Sequence, residues 1–183
     1  DKFAIKSAEI IQKCFDYAIV GGYVSILFGR ARITEDIDIY ISSSNFSLEI
    51  MRNFYDTIHK KNLWCFNAIN YVDGFNLLKE GFGIRISEKN KVIPNAEVKL
   101  AKKPLDFVSI REHIKVKLNE FELLIGPLEL NIAYKLYLGS QKDFEDALYL
   151  FCIFNEKLDF GKIKSFCKEL NVKDEIIERV LRC

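Results

Sequence analysis

The sequence predicts an α/β (α+β) chain, a mixed sheet with flanking helices followed by a C-terminal helical bundle. Three observations predict it. Segments that alternate apolar and polar residues, such as 36–41, are interleaved with segments of helical spacing through the first two thirds of the chain. Two pairs of alternating segments are separated by short polar loops, as in hairpins. From Pro127 onward only helical spacing remains.

The elements follow in order. Residues 2–14 place Ile5, Ala8, Ile11 and Phe15 on one helical face, and 17–20 (YAIV) reads as a short buried strand ended by Gly21-Gly22. Residues 23–28 suit a short helix stopped by Gly29, and 36–41 (DIDIYI) reads as a half-covered strand. After the polar break SSSN, residues 48–60 carry Leu48, Met51, Tyr55 and Ile58 at helical spacing, and a second helix covers 71–79 with Gly81 as its cap. FGIRIS at 82–87 and AEVKLA at 96–101 form an expected hairpin, followed by a helical turn at 105–111. A second hairpin joins 113–118 to 121–125 through Asn119-Glu120. Helices are then expected near 127–138, 141–154, 159–170 and 173–182, with Pro127 suited to a first helical turn. The change of character gives an expected division into an α/β domain, 1–126, and a helical subdomain packed on it, 127–183.

The 183 residues, 49% hydrophobic, are enough for one compact core with a helical appendage. A net charge of +1 leaves no whole-protein field to recruit nucleic acid. Cys14, Cys65, Cys152, Cys167 and Cys183 form no C-x-x-C pair and read as reduced thiols. With no signal peptide and no bilayer-length apolar run, they point to a cytoplasmic protein without a membrane partner. His59 and His113 are too few and too scattered for a zinc site or a His-based triad.

The stretch 17–41 carries the chemistry. Side chains at i and i+2 of a strand share a face, so Asp36 and Asp38 point the same way while Ile37, Ile39 and Ile41 point into the core. Two adjacent carboxylates repel unless a cation lies between them, and oxygen ligands at this spacing suit one or two Mg²⁺ ions, with Mn²⁺ as the alternative metal. A metal-bound nucleotide also brings phosphates. Gly21-Gly22, without Cβ atoms, can present backbone N–H groups to them at the start of the next helix. Ser25 can add a hydroxyl, Arg30 and Arg32 can neutralise triphosphate charge, and Thr34 can act as a local donor or loop brace. Taken singly, each feature also has a plain reading as a tight turn, a solvated strand face or soluble surface charge.

In this order the features resemble the active-site signature of the DNA polymerase β-like nucleotidyltransferase superfamily: apolar strand, paired glycines, short helix, then apolar-Asp-apolar-Asp-apolar. The resemblance implies a nucleotidyltransferase-type fold and Mg²⁺-dependent transfer of a nucleoside monophosphate from an NTP to a hydroxyl, with release of pyrophosphate. It also implies a third carboxylate on a neighbouring strand. Glu97, in Ala96-Glu97-Val98, fits that place as a third metal ligand or as a base, although Lys99 shares its strand face and another register would put the lysine there; Asp106, in PLDF, is the reserve candidate and also reads as a helix-start acid.

A second stretch, LELNIAYKLYLGSQKDFEDALYL at 128–150, resembles the C-terminal motif of AbiEii-like nucleotidyltransferases of abortive-infection and toxin–antitoxin systems. Lys135, Lys142, Asp143 and Asp146 match it, which implies that Lys135, Lys142 and Asp146 serve the nucleotide. The arginine usual in the intervening turn is absent, the turn here being Gly-Ser-Gln-Lys. Ser140 and Asp143 equally fit a capping box, and Lys142 and Asp146 an i, i+4 surface pair. The expected partners are an NTP and, as acceptor, a toxin- or antitoxin-like protein in preference to tRNA. The rival expectation is a catalytically inactive nucleotide-binding or partner-binding module of the same fold.

Overall fold

A computed structural model describes residues 1–118 and 120–182. Asn119, expected in the second hairpin turn, and Cys183 lie outside the described residues. Helix α1 (Lys2–Ile11) precedes β1 (Tyr17–Val20), α2 (Gly22–Leu27) and β2 (Asp36–Ile41). Then come α3 (Leu48–Lys60), β3 (Leu63–Cys65), α4 (Tyr71–Glu80), β4 (Ile84–Glu88), β5 (Asn95–Leu100) and α5 (Pro104–Arg111). The hairpin β6 (Ile114–Leu118) and β7 (Phe121–Ile125) leads into α6 (Leu128–Leu138), α7 (Gln141–Phe154), α8 (Phe160–Glu169) and α9 (Asp174–Val180).

Among the described residues the strands form one mixed sheet in the order β3-β4-β5-β2-β1-β7-β6. β1 runs antiparallel to β2 and parallel to β7, while β2 runs parallel to β5. The β4–β5 and β6–β7 hairpins are antiparallel, as the alternating segments predict. The strand β3, not expected from the sequence, pairs antiparallel with β4 at the sheet edge. Its three residues are too few to show a period of two, so only the neighbouring strand defines it.

The inward residues of the central strands, Ile19, Ile37, Ile39, Ile41, Ala96 and Val98, are buried against Met51, Phe54 and Ile58 of α3. Ser47 caps α3 by accepting the Ile50 N–H, Asn70 caps α4 by accepting from Val72 and Asp73, and Gly81 closes α4 in the left-handed conformation. Helix α6 is buried on several sides and packs on α7 and α8, and α2 of the sheet layer also touches α7. Cys14, Cys65 and Cys167 are free thiols, as expected, but Cys152 is disulfide-bonded, which corrects the expectation of a fully reduced set. No helix among the described residues is long and apolar enough to cross a membrane.

Gly74 in the middle of α4 shows how tightly this layer is packed. A Cβ there would overlap the Tyr55 hydroxyl, which donates to the Ala68 carbonyl at 3.0 Å. Replacing a mid-helix glycine by alanine normally stabilises by up to about 1 kcal/mol. Here overpacking, which costs about 1–3 kcal/mol, outweighs that gain. Gly74→Ala is therefore expected to lower the urea midpoint; a raised midpoint would show that the Tyr55 contact yields freely.

Candidate active site

The β1–β2 register builds the site. Val20 lies opposite Asp38, so the chain leaves β1 at Gly21 beside the start of β2, where both aspartates lie. Gly21 has φ +74°, a conformation that strains any side chain, and a Cβ on it would come within 2.6 Å of Asp38 Oδ2. Two independent constraints thus demand glycine at the same residue. Its N–H donates to Asn131 Oδ1 at 3.2 Å, and the Asn131 amide donates in turn to the carbonyls of Gly126 and Pro127. The bend is therefore held from the side by α6.

On the other flank of β2 the parallel pairing sets Asp38 beside Glu97 and Tyr40 beside Lys99. Lys99 Nζ lies 3.3 Å from Asp38 Oδ1 and 2.9 Å from Glu97 Oε2, while Arg85 Nη2 lies 3.4 Å from Glu97 Oε1. Asp36 is half-buried and accepts the Thr34 hydroxyl at 3.1 Å, so Thr34 is the local brace the sequence suggests. Burial raises the Asp38 pKa; Lys99 opposes this, and the charges of Asp36 and Glu97 add to it. Burial acts in the same direction on Glu97, but Lys99 and then Arg85 outweigh it and hold that carboxyl below its ordinary value. For Lys99, burial lowers the pKa and the two carboxylates more than reverse it.

A cavity of about 230 Å³ opens between the sheet and α6, lined among others by Gly21, Asp38, Lys99, Asn131 and Lys135. Its remaining wall is apolar and aromatic, including Tyr40, Tyr134 and Tyr137. Burial, then the nearby Asp106 carboxylate, raises the pKa of both Tyr40 and Tyr134, the latter to about 12. Both phenols thus remain protonated donors at neutral pH. Asp36 opens instead into a different hollow, with Arg32, Thr34 and Pro94.

The remaining sequence candidates separate into two groups. Arg30, Arg32 and Lys135 converge on Asp146, which is 0% exposed: Arg32 reaches it through Nε at 3.0 Å and Nη2 at 2.8 Å, Arg30 through Nε at 2.8 Å, and Lys135 at 3.1 Å. Lys135 also binds Asp143 at 2.7 Å, and Ser140 caps α7 by accepting the Asp143 N–H. Arg32 lies so close over Gly22 that a Cβ there would overlap its guanidinium. Asp146 thus faces the cations, and the surface pair with Lys142 does not form; Lys142 is exposed and does not line the cavity. Ser25 is fully buried, does not line the cavity, and its hydroxyl has no hydrogen-bond partner among the described residues. Asp106 accepts the N–H groups of Lys102 and Lys103 at the start of α5, the helix-start role.

Several contributors escape the sequence reading, among them Asn131, Arg85 and the cavity tyrosines Tyr40, Tyr134 and Tyr137. Tyr40 had a signal, since it follows Asp36 and Asp38 at the same period of two. Asn131 also had one, as an amide between the buried Leu130 and Ile132 of α6. Arg85 had none, because its approach to Glu97 depends on the β4–β5 pairing.

No known family's sequence profile matches the chain, and neither does any characterised protein by sequence. Solved structures do. An antigenic nucleotidyltransferase-like protein from Paracoccidioides brasiliensis aligns over 98% of this chain and 90% of its own, with TM-score 0.56 and 14% identity. The antibiotic-resistance factor ANT(2'')-Ia in solution aligns over 96% and 92%, with TM-score 0.52 and 12% identity. Its crystal structure with adenylyl-2''-tobramycin aligns over 93% and 94%, with TM-score 0.54 and 11% identity. The chain has a nucleotidyltransferase-type fold. At these identities the likeness is one of fold alone.

The donor chemistry at Asp36 and Asp38 suits an added cation, because the Asp38 carboxylate is half-buried and the charges of two acidic neighbours disfavour its ionised form. Glu97 is different, since both its oxygens already accept from cations. Among the described residues, no group of three or more His, Cys, Asp and Glu side chains is arranged to hold a metal ion.

Two outcomes follow from this electrostatics. A carboxyl whose pKa is raised by folding binds more protons in the native state, so its contribution to stability falls as pH rises from 3.8 toward the raised value. Asp38→Asn is expected to melt higher than the native chain at neutral pH, with the gap closing below the ordinary carboxylate range; a lower melting temperature at neutral pH would contradict the raised pKa. Asp146→Ala leaves Arg32 without its carboxylate, while Arg30 keeps Glu145 and Lys135 keeps Asp143, and is expected to lose about 3 kcal/mol in urea titration.

Proposed function

We propose that this chain is a nucleotidyltransferase that moves a nucleoside monophosphate from an NTP to an acceptor hydroxyl. One observation carries the reading. The metal-suited acid Asp38 is packed against the side-chain-free bend at Gly21, at the mouth of an open cavity that also holds Lys135 and Asn131.

In the reaction the acceptor oxygen would attack the α-phosphorus and give up its proton to solvent, while the bond from the α-phosphorus to the α,β-bridging oxygen breaks and pyrophosphate leaves. Positioning and charge neutralisation dominate such chemistry. Asp36 and Asp38 would hold Mg²⁺, which neutralises phosphate charge and aligns nucleophile and leaving group. The Gly21 N–H is held by Asn131, so the N–H groups that open α2 from Gly22 onward would face the phosphates, with the Arg32 guanidinium above Gly22 as a positive group. Asp146 would act by orienting Arg30, Arg32 and Lys135, since it has no exposed surface of its own. Tyr40, Tyr134 and Tyr137 would offer flat, partly apolar walls for the base or the acceptor.

For the acceptor we favour a hydroxyl on a protein partner, supported by the AbiEii-like resemblance at 128–150, over tRNA, which the net charge of +1 disfavours. A small-molecule hydroxyl is the second reading, supported by the fold neighbour solved with adenylyl-2''-tobramycin.

The test incubates the protein with each α-³²P-labelled NTP, Mg²⁺ and cell lysate or aminoglycoside. Label is expected in protein, and Asp38→Ala is expected to lose it by at least about 10²–10³-fold with an unchanged circular dichroism spectrum. Label retained in Asp38→Ala refutes the assignment. Nucleotide binding without pyrophosphate release in any mixture favours the inactive module.

A further inference from the structure

The cation between the second and third acids belongs to the chain itself. Lys99 follows Glu97 by two residues on β5 and so shares its strand face, and the parallel pairing with β2 brings its ammonium between Asp38 Oδ1, at 3.3 Å, and Glu97 Oε2, at 2.9 Å. This is the space that a second divalent ion would need in a two-ion centre, where the ions are about 3.5–4 Å apart. Resting on the nucleotidyl-transfer reading above, we propose that Lys99 takes the place of a second divalent ion, so that the centre binds one metal ion, on Asp36 and Asp38.

Three further observations support it. The other oxygen of Glu97 accepts from the half-exposed Arg85 Nη2 at 3.4 Å, so both of its oxygens have a cationic partner within the chain. Glu97 is also confined: it lies over Gly83, where even a Cβ would stand 3.0 Å from Oε1. Lastly, Asp36, Asp38 and Glu97 carry three negative charges and Lys99 and Arg85 two positive ones, which leaves one net negative charge. The side chains alone therefore balance no more than one divalent ion, and charge for a second would have to come from the nucleotide's phosphates. An ammonium and a divalent ion cannot share the gap, because their repulsion at such a distance is uncompensated.

The consequence is a division of labour along β2 and β5. Asp38, at the metal end, stands against the glycine bend, where the nucleotide phosphates would lie, and Asp36 follows it two residues back on the same strand face. The lysine end, with Glu97, supplies a fixed positive charge where the acceptor hydroxyl would approach. Lys99 is then a positioning residue for both carboxylates.

The measurement is a count of Mn²⁺ bound per chain in the presence of α,β-methylene analogues of ATP, GTP, CTP and UTP, by electron paramagnetic resonance and elemental analysis. The native protein is expected to hold one ion with an isolated-ion spectrum. Lys99→Met, chosen for its similar length, is expected to hold two ions with the spectrum of a coupled pair, and Lys99→Arg to return to one. Circular dichroism melting establishes that each variant is folded, and the native count stands without them. A coupled pair in the native protein overturns the inference and leaves nucleotidyl transfer standing. One ion in both the native protein and folded Lys99→Met also overturns it, since the lysine then displaces nothing. A native protein that binds neither analogue nor Mn²⁺ overturns the functional reading, and this inference with it.

Discussion

The antiparallel register of β1 and β2 governs the rest of the site. Because Val20 stands opposite Asp38, the residue after it must turn away directly beside a carboxylate. Only a residue without Cβ can make that turn at positive φ and leave room for Asp38 Oδ2. The glycine bend and the aspartate pair are thus two sides of one packing contact, and a one-residue slip would turn both acids into the core.

A second constraint comes from the helices. Asp146 on α7 has no solvent contact, and the three cations around it come from the loop between α2 and β2 and from α6. A buried ion cluster of this kind contributes little net stability compared with an apolar core, but it is costly to break. Its effect is geometric. It fixes Arg32 over Gly22 and Lys135 at the cavity wall, so the helical tail determines where positive charge meets the glycine bend. Asn131, which accepts the Gly21 N–H, ties the same tail to the bend by a neutral contact.

The acidic face and the cationic cluster are complementary in their accounting of charge. On the acidic face, carboxylates outnumber cations by one, and burial opposes ionisation of both Asp38 and Glu97, but only for Asp38 does it outweigh the neighbouring cations. In the cluster, Arg30, Arg32 and Lys135 are matched by Asp143, Glu145 and Asp146. The unfilled demand for positive charge is therefore at β2, beside the open cavity, where an exchangeable cation can enter.

Much of this was legible in the chain itself. The strands β1 and β2, the helix α3 and the two hairpins follow from periods of two and 3.6, which are local properties of backbone geometry. The glycine bend, the shared face of Asp36 and Asp38, and the Thr34 brace are likewise short-range. Other features depend on contacts distant in sequence: the strand β3, the buried role of Asp146, the withdrawal of Ser25 from the cavity and the Lys99 bridge between Asp38 and Glu97. The sequence left Glu97 and Lys99 as alternatives for one place, and the parallel β2–β5 register puts both on the same face beside Asp38. A side chain's partners are decided by which strand or helix lies next to it, and that adjacency is set by burial of the whole core rather than by any local spacing.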